Sequence, residues 1–252
     1  MFRPWMPYLC LFVTALLVAL VATPLAGRIA WKVGAVDYPN KRRINRRPIP
    51  RMGGIAVFLG IIAAFVIQYL GTTRLDWPVV LTPAPHFASM SYQMLVVGFC
   101  VIFLTGVLDD IFQLKPLQKL LGQVIAAAVA VAGGLVIGTI VNPLTGDALE
   151  LSWLAYPITV IYLVSYVNIF NLIDGLDGLA SGIACIAGVT MFTLSVMAGR
   201  MDAASLAIAL AGSTLGFLRY NFNPASIFLG DSGSLLLGYA LGAVSLLSVT
   251  RV

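Results

Sequence analysis

The sequence has 252 residues, of which 60% are hydrophobic and only 10% are charged, with a formal net charge of +5 and a mean hydropathy of +0.98. Soluble domains carry about 25% charged residues, so this composition excludes a soluble domain and indicates an integral membrane protein. Glycines within the apolar runs favour closely packed helices, and the runs lack the alternation typical of transmembrane strands. We therefore predict an all-α fold, a polytopic transmembrane helical bundle.

Eight apolar runs approach the length of about 20 residues that a helix needs to cross a bilayer. They cover residues 7–29, 53–70, 92–108, 117–141, 151–172, 179–199, 203–219 and 232–250. Because they occupy nearly the whole chain, we predict a single integral membrane domain over residues 1–252 with about eight membrane-spanning helices. The alternative for the first run is a cleaved signal peptide, but its spanning length and the seven runs after it favour a helix.

Basic residues are concentrated between the first two runs, where WKVGAVDYPNKRRINRRPIPRMGG together with Arg28 holds eight of them. The positive-inside rule places this loop in the cytoplasm and the N-terminus outside. Alternating helices then bring five aspartates to helix ends on the cytoplasmic side: Asp109, Asp110, Asp174, Asp177 and Asp231. Ionisable groups at membrane depth are costly, so we interpret these aspartates as a functional site that faces the cytoplasm.

The first acidic motif is TGVLDDIFQLKPLQKLLGQ, which places Asp109 and Asp110 at the end of the third helix. Lys115 and Lys119 begin the fourth helix. Carboxylates at a helix C-terminus oppose the helix dipole, so stability alone does not favour them there. Adjacent side chains on a helix point about 100° apart, so we expect one aspartate to face a phosphate or metal and the other to orient it or a lysine. The alternative is a solvated turn whose acids pair with the two lysines.

The second motif is NIFNLIDGLDGLASG, in which Asn168, Asn171 and Asp174 are spaced three residues apart. This spacing predicts a polar stripe on one helix face, and Asp177 extends it beyond Gly175. An ordinary turn rich in Asp and Gly is the alternative. A turn does not require asparagines inside the preceding apolar run, so we favour a site.

The third motif is RYNFNPASIFLGDSGSLLLGY, where Asp231 precedes a helix predicted to begin at about Ser232. Two interpretations stay open: Asp231 is the helix N-cap, or its carboxylate binds a phosphate-bound cation near the helix N-terminus. Phe228 offers an aromatic face for a base. In the basic loop, PIPRMGG indicates a rigid bend and close packing rather than charge alone.

Oxygen ligands without a histidine cluster favour Mg²⁺ or Mn²⁺ over zinc, since the only histidine is His86. Lysines and arginines around the acids indicate a phosphorylated ligand. The residues alone therefore predict a membrane enzyme that acts from the cytoplasm on a phosphorylated substrate, most simply a diphosphate.

Four segments in order within residues 36–239 resemble one family: VDYPNKRRINRRPIPRMGG, GVLDDIFQLKPLQKLLGQ, NIFNLIDGLDGLASG and NPASIFLGDSGSLLLGY. They resemble the polyprenyl-phosphate N-acetylhexosamine-1-phosphate transferases of the glycosyltransferase 4 (MraY-like) superfamily, and within it the WecA/TagO branch rather than the MraY branch. The resemblance implies transfer of N-acetylglucosamine 1-phosphate from a UDP-sugar to undecaprenyl or another polyprenyl phosphate. It also implies release of UMP, Mg²⁺ or Mn²⁺ as the cofactor, and a first membrane step in making a cell-wall polymer or surface glycan.

The resemblance also implies a role for each matching residue. Asp231 is expected to be the metal ligand, and Asp109 and Asp110 are expected to be the catalytic pair. Substrate contacts are expected from seven residues: Arg51, Lys119, Asn171, Asp174, Asp177, Asn221 and Phe228. Lys119 is expected on a phosphate, and Asn221 and Phe228 near the uracil ring. We expect a multi-pass protein of the cell (inner or plasma) membrane with no nucleic-acid partner, and a homodimer stays open.

Two departures from the family pattern accompany the resemblance. Asn45 stands where family members usually have a histidine, and the family continues into further helices and a histidine-bearing loop that this sequence does not contain. The alternatives are a MraY-like phospho-MurNAc-pentapeptide transferase and a non-catalytic membrane protein derived from the family. An ion-coupled transporter fits less well, because the acids lie at one face and no internal repeat is visible.

Overall fold

The structure is a computed structural model that describes residues 5–39, 47–75, 77, 91–142 and 144–249. Within these ranges it contains eight α-helices, which confirms the predicted all-α fold. The helices are α1 (Met6–Val33), α2 (Gly54–Arg74), α3 (Tyr92–Phe112), α4 (Pro116–Ala132), α5 (Ala155–Ile173), α6 (Leu179–Met197), α7 (Met201–Asn221) and α8 (Asp231–Val249). Asn45, His86 and most of the basic loop lie outside the described residues.

Six of the described helices, α1 to α3 and α5 to α7, are long and apolar enough to cross a membrane. The helix α4 is shorter, at 17 residues. Two short antiparallel hairpins connect helices and were not predicted. They are formed by β1 (Val36–Asp37) with β2 (Ile49–Pro50), and by β3 (Thr139–Val141) with β4 (Ala148–Glu150).

The fourth apolar run does not form one helix to residue 141, as the sequence predicted. The helix α4 ends at Ala132, and Gly134 has a positive φ of 94° that breaks the helical path. The β-branched end of the run, Thr139–Val141, forms strand β3 instead. A short apolar run does not by itself distinguish a strand from a helix, which explains the error.

The centre of the bundle is occupied by α7 and α8. The helix α8 packs against α2, α3, α5, α6 and α7, and α7 lies close to α1 because glycines face that helix. A Cβ atom added to Gly212 would lie 2.4 Å from the Phe12 carbonyl oxygen, and one on Gly216 would lie 2.3 Å from that of Leu16. Small residues at such interfaces let transmembrane helices approach closely.

The PIPRMGG segment connects the start of α2 to the chain that enters α8. The Phe228 amide donates to the Pro50 carbonyl at 2.9 Å, and the Gly53 amide donates to the Phe228 carbonyl at 3.0 Å. The Gly54 amide donates to the Leu229 carbonyl at 2.9 Å. The predicted bend with close packing is therefore confirmed, and it fixes the position of the residues just before Asp231.

Replacing Gly54 with alanine is expected to lower the free energy of unfolding by about 3 kcal/mol, because overpacking forces the backbone apart. A Cβ atom at this position would lie 2.1 Å from the Gly233 amide nitrogen, which belongs to the backbone and cannot rotate away. Gly182→Ala in α6 is the matched control, since a Cβ there meets nothing within 4 Å. Thermal unfolding in detergent compares the two variants, and equal midpoints would contradict the close packing of α2 on α8.

Candidate active site

Lys119 lies at the centre of the polar cluster at one end of the bundle. Its Nζ atom is 2.8 Å from Asp109 Oδ2, is in contact with Asp231 Oδ1, and donates to Asn171 Oδ1 at 3.2 Å. Side chains from α3, α5 and α8 therefore meet one ammonium group on α4. The Lys119 side chain is 17% exposed and that of Asp231 is 25% exposed, so a ligand can reach both from this end.

Asp109 holds the α3–α4 turn and the lysine at the same time. Its Oδ1 atom accepts a hydrogen bond from the Leu114 amide at 2.8 Å, and its Oδ2 atom pairs with Lys119. Asp109 is buried, with 8% of its surface exposed. The alternative of a solvated turn is therefore wrong in that Asp109 is buried, but its predicted pairing with a lysine is confirmed. The expectation that one aspartate orients a lysine fits the same geometry.

Asp110 caps the N-terminus of α8. Its Oδ1 atom accepts from the Asp231 amide at 2.9 Å, and its Oδ2 atom accepts from the Ser232 amide at 3.0 Å. Asp110 is only 1% exposed. Of the two interpretations of Asp231, the N-cap is thus wrong: α8 begins at Asp231, and its capping carboxylate comes from 121 residues earlier. The Asp231 side chain is left to face Lys119.

Two glycines make room for this capping contact. Gly230 has a φ of 73°, and a Cβ there would lie 2.8 Å from either carboxylate oxygen of Asp110. Gly106 brings α3 against the start of α8, since a Cβ at that position would lie 2.5 Å from Ser232 Cα. Glycine at 230 therefore supplies both the left-handed backbone conformation and the space that the Asp110 carboxylate occupies.

Asp110→Asn is expected to lower the free energy of unfolding by about 3 kcal/mol, because hydrogen bonds to a charged acceptor are strong and an unpaired donor is costly. The asparagine amide group would place an N–H against one of the two α8 amides. Thermal unfolding of the solubilised protein measures the effect, with Asp147→Asn as an exposed control. An unchanged midpoint would contradict the assignment of Asp110 as the α8 cap.

The asparagine stripe on α5 reaches the cluster as predicted. Asn171 donates from Nδ2 to Asp231 Oδ1 at 2.6 Å and to Ser234 Oγ at 2.9 Å. One turn earlier, Asn168 donates to Gln123 Oε1 at 2.7 Å. Sequence reasoning missed Gln123, although it lies four residues after Lys119 and therefore on the same helix face.

Asp174 follows the last residue of α5, outside the helix, and is half-buried beside the cluster. Burial raises the pKa of its carboxyl to about 7, and the negative charges of Asp231 and Asp110 add to this effect. A bound cation would favour the ionised form of Asp174.

Three other residues predicted to contact substrate form hydrogen bonds within or to the α7–α8 loop and do not contact Lys119. Asp177 Oδ2 accepts from the Ala225 amide at 2.9 Å, so the acidic stripe does not extend through Asp177 to Lys119. Asn221 is 3% exposed and donates to the Ile227 carbonyl at 3.0 Å. Phe228 pairs through its backbone with residues 50–53. Their contacts with a nucleotide stay predictions.

Arg51 lies next to the capping contact. Its Nη2 atom donates to the backbone carbonyl of Asp110 at 3.0 Å, at the C-terminal end of α3. The residue is half-buried. In the structure it therefore joins the α2 segment to α3, and its expected contact with substrate stays a prediction.

Comparison with known proteins decides the family. Residues 92–249 match the family model described as glycosyl transferase family 4, which covers more than half of the chain. The chain belongs to glycosyl transferase family 4. The matched range contains Asp109, Asp110, Lys119, Asn171 and Asp231, whereas Arg51 lies before it.

Curated members of the family give more detail. A Bacillus subtilis protein named a probable undecaprenyl-phosphate N-acetylglucosaminyl 1-phosphate transferase is 40% identical over 241 residues, covering 95% of this chain and 63% of the relative. A Mycobacterium leprae decaprenyl-phosphate N-acetylglucosaminephosphotransferase is 38% identical over 251 residues, covering 92% of this chain and 59% of the relative. A Bacillus licheniformis phospho-N-acetylmuramoyl-pentapeptide-transferase is 32% identical over 245 residues, covering 96% and 74%. The predicted family is confirmed, and the chain spans about 60% of the first two relatives.

Proposed function

We propose that this chain provides the phosphate-binding part of an enzyme that transfers N-acetylglucosamine 1-phosphate from UDP-N-acetylglucosamine to a polyprenyl phosphate such as undecaprenyl phosphate. The observation that carries the proposal is Lys119, held between Asp109 and Asp231 at an accessible end of the bundle. The names of the Bacillus subtilis and Mycobacterium leprae relatives support this choice of sugar and acceptor.

In this reaction an oxygen of the lipid phosphate forms a bond to the phosphorus that carries the sugar. The bond from that phosphorus to the bridging oxygen breaks, and UMP leaves with the electron pair. Negative charge develops on the phosphoryl oxygens and on UMP, so positioning and charge neutralisation supply most of the catalysis. Lys119 provides the positive charge, Asp109 holds its ammonium group in place, and Asn171 orients the Asp231 carboxylate. Asp110 contributes by fixing the start of α8.

The donor set fits a Mg²⁺ or Mn²⁺ ion that is shared with the substrate. Among the described residues, no group of three or more His, Cys, Asp or Glu side chains is arranged to hold a metal ion. Mg²⁺, however, commonly keeps its waters and uses one or two carboxylates together with substrate phosphates. Asp231, with Asp174 nearby, would supply those carboxylates. The ion would neutralise the diphosphate charge when bound.

The site is proposed to face the cytoplasm. Single cysteines at Lys115, Leu176 and Phe222, which are exposed on the three turns around the site, are expected to react with a membrane-impermeant maleimide only from the cytoplasmic side. The background chain has Cys10, Cys100 and Cys185 replaced by alanine. Thr145→Cys, exposed between β3 and β4, is the control and is expected to react from outside. Labelling of any of the first three from outside would contradict the orientation.

The activity is tested with purified chain in lipid nanodiscs, undecaprenyl phosphate, Mg²⁺ and a panel of UDP-sugars, by scoring both UMP and the lipid product. Release of UMP with UDP-N-acetylglucosamine that requires the acceptor lipid supports the proposal. Turnover of UDP-MurNAc-pentapeptide alone would assign the chain to the alternative substrate. Binding of UDP-sugars without turnover of any would support a non-catalytic role.

A further inference from the structure

A cavity lies at the same end of the bundle as the Lys119 cluster, between α1 and the loop that precedes α8. Its volume is about 290 Å³. The helix α1 contributes Pro24, Gly27, Arg28 and Trp31 to its lining, and Tyr220 and Ile227 lie opposite. The cavity shares no lining residue with the Lys119 cluster. The cavity is therefore separate from the Lys119 cluster.

The lining changes from apolar to basic along α1. Pro24 and Gly27 precede Arg28 and Trp31 by one turn of α1. Thr23 also lines the cavity beside Pro24, and its hydroxyl donates to the Ala19 carbonyl at 2.6 Å. Among the described residues, those that line the cavity include no acidic side chain. Arg219 precedes Tyr220 on α7 and is exposed. The described region around the cavity therefore presents positive charge above an apolar cleft.

Such a gradient matches the chemistry of a glycerophospholipid with an acidic headgroup. Tryptophan and tyrosine are enriched where membrane meets water, and basic pockets between transmembrane helices bind acidic headgroups. An acyl chain requires an apolar cleft that begins at the same depth as the phosphate. Trp31 and Tyr220 would set the Arg28 end of this cavity at the level of the headgroups, and Pro24 and Gly27 line it one turn further from the C-terminal end of α1.

We propose that this cavity binds an anionic phospholipid, with the phosphate at Arg28 and one acyl chain along Pro24 and Gly27. The proposal goes beyond the transferase activity and does not depend on it. One wall of the cavity is Pro50, whose carbonyl accepts the Phe228 amide at 2.9 Å. A lipid in the cavity would therefore support, from the membrane side, the same segment that fixes the chain before Asp231.

Gly27 allows the cavity to be filled in a controlled way. A Cβ atom on Gly27 would lie 3.8 Å from Ile227 Cδ1 and 3.9 Å from Pro50 Cγ, which are ordinary contacts. Gly27→Ala therefore fits without rearrangement, whereas Gly27→Phe has to occupy the cleft. Arg28→Gln removes the charge that faces the headgroup, and Lys32→Gln removes an exposed charge that does not line the cavity.

Binding is measured by titrating the purified chain in neutral detergent with phosphatidylglycerol or phosphatidylcholine, followed by native mass spectrometry and by the thermal unfolding midpoint. We expect phosphatidylglycerol to bind and to raise the midpoint of the wild type, Gly27→Ala and Lys32→Gln. Arg28→Gln should bind it about fivefold more weakly, the effect of one basic residue near a lipid surface. Gly27→Phe should also bind it more weakly, because the ring occupies the cleft. Should Gly27→Phe fail to fold, comparing the phosphatidylglycerol affinity of Arg28→Gln with that of Lys32→Gln still tests the proposal.

Three outcomes would overturn the proposal. Equal affinity of Arg28→Gln and the wild type would remove the headgroup contact. Phosphatidylcholine binding as tightly as phosphatidylglycerol would show that negative charge is not recognised. Displacement of phosphatidylglycerol from the Arg28-dependent site by stoichiometric undecaprenyl phosphate would assign the cavity to the acceptor lipid instead.

Discussion

Asp231→Asn is expected to reduce the rate of UMP release to about one hundredth of the wild-type rate, which is typical for loss of one charge-stabilising group in an active site. Asp231 Oδ1 accepts hydrogen bonds from Lys119 and from Asn171. An asparagine oxygen can accept the same two bonds, so the local structure should be kept. What is lost is the negative charge that would attract a metal ion.

The Asp231→Asn experiment needs two controls, one for folding and one for the loss of a carboxylate elsewhere in the chain. The thermal unfolding midpoint of Asp231→Asn should stay close to that of the wild type, in contrast to Asp110→Asn. Asp147→Asn removes an exposed carboxylate at the far hairpin and should keep full activity. A rate for Asp231→Asn above about a tenth of the wild-type rate would contradict the assignment of Asp231 as the metal-binding carboxylate.

Lys119→Met is expected to lower kcat by about 100-fold to 1000-fold, the cost of removing one electrostatic contact to the transition state. Methionine keeps much of the aliphatic volume but leaves Asp109 and Asp231 without their shared ammonium group. These carboxylates would repel both one another and the substrate phosphates. Because Asp109 is buried, the variant is also expected to unfold at a lower temperature.

The Lys119→Arg variant distinguishes the contribution of the positive charge from that of the exact position of the ammonium group. A guanidinium keeps the positive charge but is planar and larger than an ammonium group, so it cannot occupy the same point between two carboxylates. Partial recovery of kcat in Lys119→Arg would indicate that charge carries most of the effect. Complete loss in both variants would indicate that the three-way contact with Asp109, Asp231 and Asn171 is also required.

The helices and the order of the polar motifs could be predicted from sequence because both depend on local patterns. Apolar runs of spanning length predicted seven helices well, and failed at α4, where the run continues past Ala132 into strand β3. The polar stripe on α5 was predictable because its residues share one helix face. Asn171 accordingly meets Asp231.

That Asp110, and not Asp231, caps the N-terminus of α8 could not be predicted in the same way. An aspartate just before a helix is the usual sign of an N-cap, and the predicted helix start at about Ser232 gave Asp231 that position. The cap comes instead from Asp110, through a contact that joins residues 121 positions apart. Local preferences contain no information about this pairing, since it depends on how closely α3 packs on α8 at Gly106.

Asp177 was misplaced for a related reason. Its three-residue spacing from Asp174 predicted that the polar stripe on α5 continues to Asp177. However, α5 ends at Ile173 and the chain turns before Asp177. The carboxylate then lies against the α7–α8 loop, where it accepts from the Ala225 amide. Helical periodicity does not apply beyond the end of a helix. The NIFNLIDGLDGLASG motif therefore contains the asparagines of α5, which face the Lys119 cluster, and Asp177, which faces the α7–α8 loop.

The most direct test of a phosphate site centred on Lys119 is the initial rate of UMP release by Lys119→Met compared with Lys115→Met, at equal amounts of folded protein. Both variants remove a lysine near the start of α4, but Lys115 is exposed and Lys119 joins Asp109 to Asp231. We predict a rate for Lys119→Met at least about 100-fold below that of Lys115→Met, which should match the wild type. Equal rates for the two variants would contradict the central role of Lys119.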